Sequence, residues 1–205
     1  STSSSRGEGF SGMSDAFLER FDEYHKFVGM FITSYADLEY DLRNFLERLS
    51  GLGSDSFEVL MGFPRTSEAL AKLRKMISLS RDLNDEDRAA INDAFSQLDI
   101  VTKLRDRIVH YGGGPAGDNF IVRARPTDKS PETKASHDFF ELQELRNAIW
   151  DLSVIKNVLS FRLRNRGWPT EKGLAVSGVK QVPWQYIPPG KRQNPTQPRD
   201  WTPER

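Results

Sequence analysis

The chain has 205 residues, no formal net charge, 28% charged and 37% apolar residues, and no cysteine. That length supports one well-buried domain with tails. The missing thiols exclude disulfides and thiolate metal sites, which suits a reducing, cytoplasmic setting. No run of about 18 apolar residues is present, so no membrane span or membrane partner is expected.

Residues 1–12 are rich in Ser and Gly, lack the apolar core of a secretory leader, and read as a flexible N-terminus. The first helical pattern runs from Ser14 to Leu49. Phe17, Phe21, Val28, Phe31, Tyr35, Leu38, Leu42, Phe45 and Leu49 recur at three- and four-residue spacing, with one longer step after Phe21. Ser14 suits the N-cap and Gly51 the position past the end. The length admits a break near His25 to Gly29.

Gly51 to Pro64 reads as a loop with a helical turn over Phe57 to Met61. A second helix follows over Thr66 to Ser80, with Leu70, Leu73, Met76 and Ile77 on its stripe. The third opens at Asn84, a good cap. Asp85, Glu86 and Asp87 in its first turn complement the positive end of the helix dipole. Its stripe is Ile91, Phe95, Leu98, Val101, Leu104 and Ile108. It stops at Tyr111, because Gly112, Gly113, Gly114 and Pro115 cannot continue it.

Asn119 to Arg125 alternates weakly and reads as a short strand or extended loop. Thr127 to Ser136 is polar and reads as exposed. Asp138 is expected to open the fourth helix, with Glu141 three residues on as a capping box. Leu142, Leu145, Ile149, Leu152, Ile155 and Leu159 form that stripe, and Gly167 and Pro169 end it. The pattern as a whole predicts an all-α chain. A four- to five-helix antiparallel bundle over residues 13–167 is followed by an extended tail over 168–205.

That tail carries seven prolines. From Ser160 onward there are nine Lys or Arg against three Asp or Glu, and the preceding residues carry the opposite excess. Such a basic end is a solvated or docked tail, or a surface for RNA. Trp184, Tyr186, Ile187 and Trp201 are too apolar for a solvated linker and are expected in grooves of the body or of a second subunit.

One segment has a chemical signature: Leu104 to Gly113, LRDRIVHYGG. Arg105 and His110 lie five positions apart, through roughly 500° of an ideal helix, so they start about 140° apart. A long Arg and a loosened last turn would be needed to bring them to one cleft. Asp106 lies four residues before His110 on the same face, where it can fix the imidazole tautomer. A bland alternative stands beside this reading. A histidine at a helix C-terminus is favoured by the dipole alone, and Arg105 can pair with Asp99 or Asp106 in a purely structural role.

The stretch resembles the signature of the HEPN superfamily, an arginine followed four to six residues later by a histidine. Arg105, the polar Asp106, the apolar Ile108 and Val109, and His110 carry the match. Asp106 stands where that family most often has Asn. The resemblance spans about Ser14 to Gly167 and implies a helical bundle. It also implies a metal-independent endoribonuclease of toxin–antitoxin or antiviral type, acting as a homodimer with a composite site. His110 would then be the general acid/base, Arg105 the phosphate clamp and Asp106 the orienting group. The products would be 2′,3′-cyclic phosphate and 5′-hydroxyl ends. An antitoxin or other protein partner is a further implication. A second function of a different kind is a non-catalytic module of the same fold that binds a protein or a nucleotide.

Other residues are weaker candidates. Arg107, Arg162 and Arg166 could contact RNA phosphates, although cations also suit the end of the fourth helix for structural reasons. Trp168 beside them could stack on a base or anchor the tail. Glu39 could face the motif, or belong to a solvated acidic face with Asp37 and Asp41. His25 and His137 have no partner at metal-ligand spacing, so no metal is expected. No glycine-rich phosphate loop is present, so no cofactor is expected either.

Overall fold

The computed structural model describes residues 15–81, 83–116, 119–123, 137–164 and 183–188. Those residues are mostly helical. In chain order they form α1 (Asp15–Ser50), α2 (Ser54–Met61), α3 (Thr66–Leu79), α4 (Asp85–Tyr111), β1 (Gly113–Ala116), β2 (Asn119–Arg123), β3 (His137–Phe140) and α5 (Leu142–Arg164).

Polar pairs between helices fix their relative directions. Ser54 Oγ donates to Glu47 Oε1 at 2.5 Å, the Arg43 guanidinium lies 3.7 Å from the Phe63 ring centre, and Thr66 donates to Glu39. The chain through α2 therefore runs back along α1. Next, α3 turns again and meets α4 head to tail, through Arg74–Asp99 at 2.7 Å and Arg88 on the carbonyl of Ile77. The α4–α5 pair is also antiparallel, through Gln97–Asp151 at 2.7 Å and Arg162–Asp87. Glu23–Arg146 at 2.9 Å and Asp41–Lys156 at 3.0 Å then align α5 with α1.

The stripes read from sequence supply the interior. Phe31, Tyr35, Leu38, Leu42 and Leu46 of α1 are buried together with Leu70, Leu73 and Ile77 of α3. Ile91, Phe95, Leu98 and Val101 of α4 and Leu145, Leu152, Ile155 and Leu159 of α5 join the same cluster. Each such side chain removed from water stabilises the fold by about 1.5–3 kcal/mol before entropy is counted. The first turns of α1 depart from the stripe, for Phe21 is exposed whereas Tyr24 is buried. Because α1 has 36 residues and α5 only 23, and Glu23 already meets the start of α5, the N-terminal end of α1 overhangs its partner.

Three local expectations are corrected. First, α1 runs unbroken through His25 to Gly29, where the His25 ring bonds the Phe21 carbonyl at 2.8 Å. Second, residues 113–116, expected only to stop the preceding helix, form a strand in a three-stranded antiparallel sheet of order β1-β2-β3. Third, Asp138 does not open the last helix. It lies in β3 opposite Val122, with Phe139 and Phe140 following in the same strand. The helix starts at Leu142, and it is Glu144 whose carboxylate accepts the Glu141 N–H at 3.0 Å. Residues 183–188 lie on the body of the chain, one of the two places expected for the apolar tail residues.

The ends of α4 follow the sequence reading. Asn84 Oδ1 accepts the Asp87 N–H at 2.7 Å, and Gly112 ends the helix at φ +67°, with its N–H on the Ile108 carbonyl at 3.1 Å. A positive φ at that place suits glycine and strains any residue with a Cβ.

Candidate functional site

The burial pattern of the last turns of α4 explains how the motif is presented. Val101, Leu104 and Ile108 face the core, while Val109 and His110 are exposed. At 100° per residue, Arg105 flanks the buried stripe and His110 points from the opposite side of the helix. The two side chains therefore leave α4 in different directions within one protomer, as the spacing implied.

Arg105 is turned toward α1. Its guanidinium lies 5.4 Å from the centre of the Tyr35 ring, and its Nη1 donates to Asp106 Oδ1 at 3.0 Å. The Arg105 side chain is 30% exposed and that of Asp106 50%. Asp99, the other candidate acid for Arg105, is instead held by Arg74. Arg107 is half-buried beside them.

Beneath Arg105 lies a polar seam. Tyr35 is buried, and its hydroxyl and Thr102 Oγ1 are 2.9 Å apart. Thr102 itself donates to the Leu98 carbonyl at 2.7 Å, so its hydrogen is committed and the Tyr35 hydroxyl is the donor between the two. Burial pushes the Tyr35 phenol above its ordinary value, partly offset by hydrogen bonding to Thr102 and Thr66. Thr66 also donates to Glu39. Glu39 therefore sits at the α1–α3 contact, one turn along α1 from Tyr35, rather than on a solvated face with Asp37.

The remaining candidates separate from this region. Arg162 closes α5 onto the first turn of α4, donating to Asp87 and, at 3.2 Å, to Glu86. Those two acids are the N-terminal carboxylates that the dipole favours, so the helix end and the ion pair reinforce each other. Arg166, Trp168 and Trp201 lie outside the described residues. The His25 ring is tilted against that of Phe21, 4.1 Å centre to centre, in the N-terminal part of α1.

Sequence reasoning missed a second polar cluster, inside the α4–α5 interface. Asp151 is fully buried. Its Oδ1 accepts the Gln185 N–H at 2.8 Å, and its Oδ2 accepts the Tyr186 N–H at 2.9 Å and the Gln97 amide at 2.7 Å. Gln97 donates as well to the Tyr186 carbonyl at 3.0 Å. Trp184 Nε1 reaches Asp93 Oδ2 at 2.9 Å, and Tyr186 is buried. The apolar tail residues were the available signal. Their anchor was not legible, because the backbone donors that meet Asp151 come from residues 185 and 186, far away in the sequence.

Comparison with family models, with curated proteins and with solved structures finds no match to this chain.

Proposed function

We propose that the chain is a metal-independent endoribonuclease of the HEPN type, working as a homodimer in a toxin–antitoxin or antiviral role. One observation carries the reading. A half-buried guanidinium and an exposed imidazole, five positions apart, close the core helix that precedes a glycine turn. The chemistry those groups offer is that of RNA transesterification. One His110 accepts the 2′-hydroxyl proton as the 2′-oxygen bonds to phosphorus. The P–O5′ bond breaks, and a protonated imidazole returns a proton to the leaving 5′-oxygen. Arg105 offers a planar fork of donors to the phosphate as its charge builds.

The divergence of Arg105 and His110 on one helix favours assembly of the site from two copies. Two outward-facing imidazoles then supply the base and the acid, with a clamp from each seam. Asp106, bound to Arg105, sets the guanidinium direction. This reading predicts that the protein cleaves single-stranded RNA in excess EDTA and that His110→Ala lowers the rate at least about 100-fold, the usual contribution of a general acid/base. Equal cleavage by the variant would overturn it.

A non-catalytic, partner-binding module of the same fold is the second reading. It is favoured by the guanidinium of Arg105 being already engaged by Asp106 and the Tyr35 ring. It predicts no turnover by either protein.

A further inference from the structure

We propose that the cavity between α1 and the connection from α2 to α3 is a base subsite, taking a single-stranded RNA base that bears an exocyclic amino group. The proposal rests on the ribonuclease reading above for its link to cleavage, but its binding chemistry stands on the cavity itself.

The cavity has a volume of about 270 Å³ and is lined by Glu39, Tyr40, Arg43, Phe63, Arg65 and Thr66, among others. That is slightly below the usual range for small-molecule sites, about 300–1,000 Å³, and suits one ring system and its substituents rather than an extended cofactor. Two exposed aromatic rings line it. Phe63 is 78% exposed and Tyr40 67%. Phe63 is held at the surface by the Arg43 guanidinium against its ring. A fixed, solvent-facing aromatic ring backed by a cation is a platform for a flat heterocycle, because stacking tolerates any base.

Selection comes from Glu39. Its Oε1 takes the Thr66 hydroxyl, and the carboxylate as a whole is an acceptor-only group at the cavity wall. It suits the amino N–H groups of adenine, cytosine or guanine. Uracil offers one ring N–H between two carbonyl oxygens, which the carboxylate repels. Arg65, exposed beside the cavity, supplies a cation for a phosphate next to the base.

The position also fits the site. Glu39 is one helical turn from Tyr35, Thr66 donates to Glu39 and lies beside the Tyr35 hydroxyl, and Arg105 lies over the Tyr35 ring. The base cavity and the phosphate clamp are thus two ends of one seam.

The test uses the full-length His110→Ala protein, so that RNA stays intact, and measures binding of AMP, CMP, GMP and UMP by calorimetry. The expected result is that UMP binds more weakly than the other three. Phe63→Ala should weaken AMP roughly tenfold, and Glu39→Gln should retain binding but lose the discrimination against UMP. Leu79→Ala, at an exposed position on the far end of α3, should bind as the parent does. Absence of nucleotide binding, equal affinity for UMP, or a Phe63→Ala protein with unaltered affinity would each overturn the subsite. Because the readout is equilibrium binding, it survives failure of the cleavage reading. Conversely, RNA cleavage by the wild type with no nucleotide held at Phe63 would remove the subsite and leave the catalytic reading intact.

Discussion

Asp151 is a carboxylate at 0% exposure with three donors around it. Burial pushes its carboxyl above the ordinary value of 3.8, and the backbone N–H groups of Gln185 and Tyr186 and the Gln97 amide pull it back only in part. The native state therefore holds the Asp151 proton more tightly than the unfolded chain. Its contribution to stability is greatest below pH 3.8 and declines as pH rises through the raised folded value. Asp151→Asn removes that titration. Urea midpoints compared across this pH window should show wild type losing stability relative to the Asn protein as pH increases. A difference that does not change with pH would contradict the assignment. Truncation to Ala leaves three buried donors without an acceptor and should cost about 2 kcal/mol or more.

At the scale of elements, α4 does most to organise the candidate site. Its first turn is closed by Asn84 and by Arg162 from α5, and its last by Gly112. Gly112→Ala should destabilise the protein by about 1 kcal/mol, read as a lowered urea midpoint with an unchanged slope, because φ +67° is strained for alanine. An unaltered midpoint would mean that the turn relaxes freely.

The same helix shows what the chain discloses by itself. Its cap, stripe and stop are local, so the 3.6-residue period and the Asn and Gly signals sufficed. The strand His137–Phe140 was misread because Asp138 and Glu141 have the spacing of a capping box. Pairing with β2 is a non-local contact that no short window contains. Arg105 and His110 were legible as types and spacing. The seam beneath them was not, since Tyr35, Thr66 and Thr102 come from three helices far apart in sequence. The place of Glu39 stayed open between the motif and an acidic face for the same reason: its partner Thr66 lies 27 residues away.

For the whole molecule, the uneven charge takes on a structural meaning. The basic end follows an acidic body, and part of it returns to that body. Trp184, Gln185 and Tyr186 cross α4 and α5 and bond to Asp93 and Asp151. Arg162 does the same one element earlier, on Glu86 and Asp87. A chain ending at residue 182 loses the buried Tyr186, the two backbone donors to Asp151 and the carbonyl that Gln97 reaches. That is a loss of about 3 kcal/mol, which in a protein of this size lowers Tm by roughly 6–12 °C. An unchanged Tm on truncation would show that the segment contributes nothing to the fold. None of the helices described is long and apolar enough to cross a membrane.

The central claim is that the imidazole of His110 and the guanidinium of Arg105 act on a phosphodiester of RNA. The most direct measurement is the chemistry of the ends that the wild-type protein leaves on a defined single-stranded RNA in EDTA, read by mass spectrometry. The account predicts a 2′,3′-cyclic phosphate on the upstream fragment and a 5′-hydroxyl on the downstream one. Fragments ending in a 3′-hydroxyl and a 5′-phosphate, or intact RNA at every protein concentration tested, would contradict it.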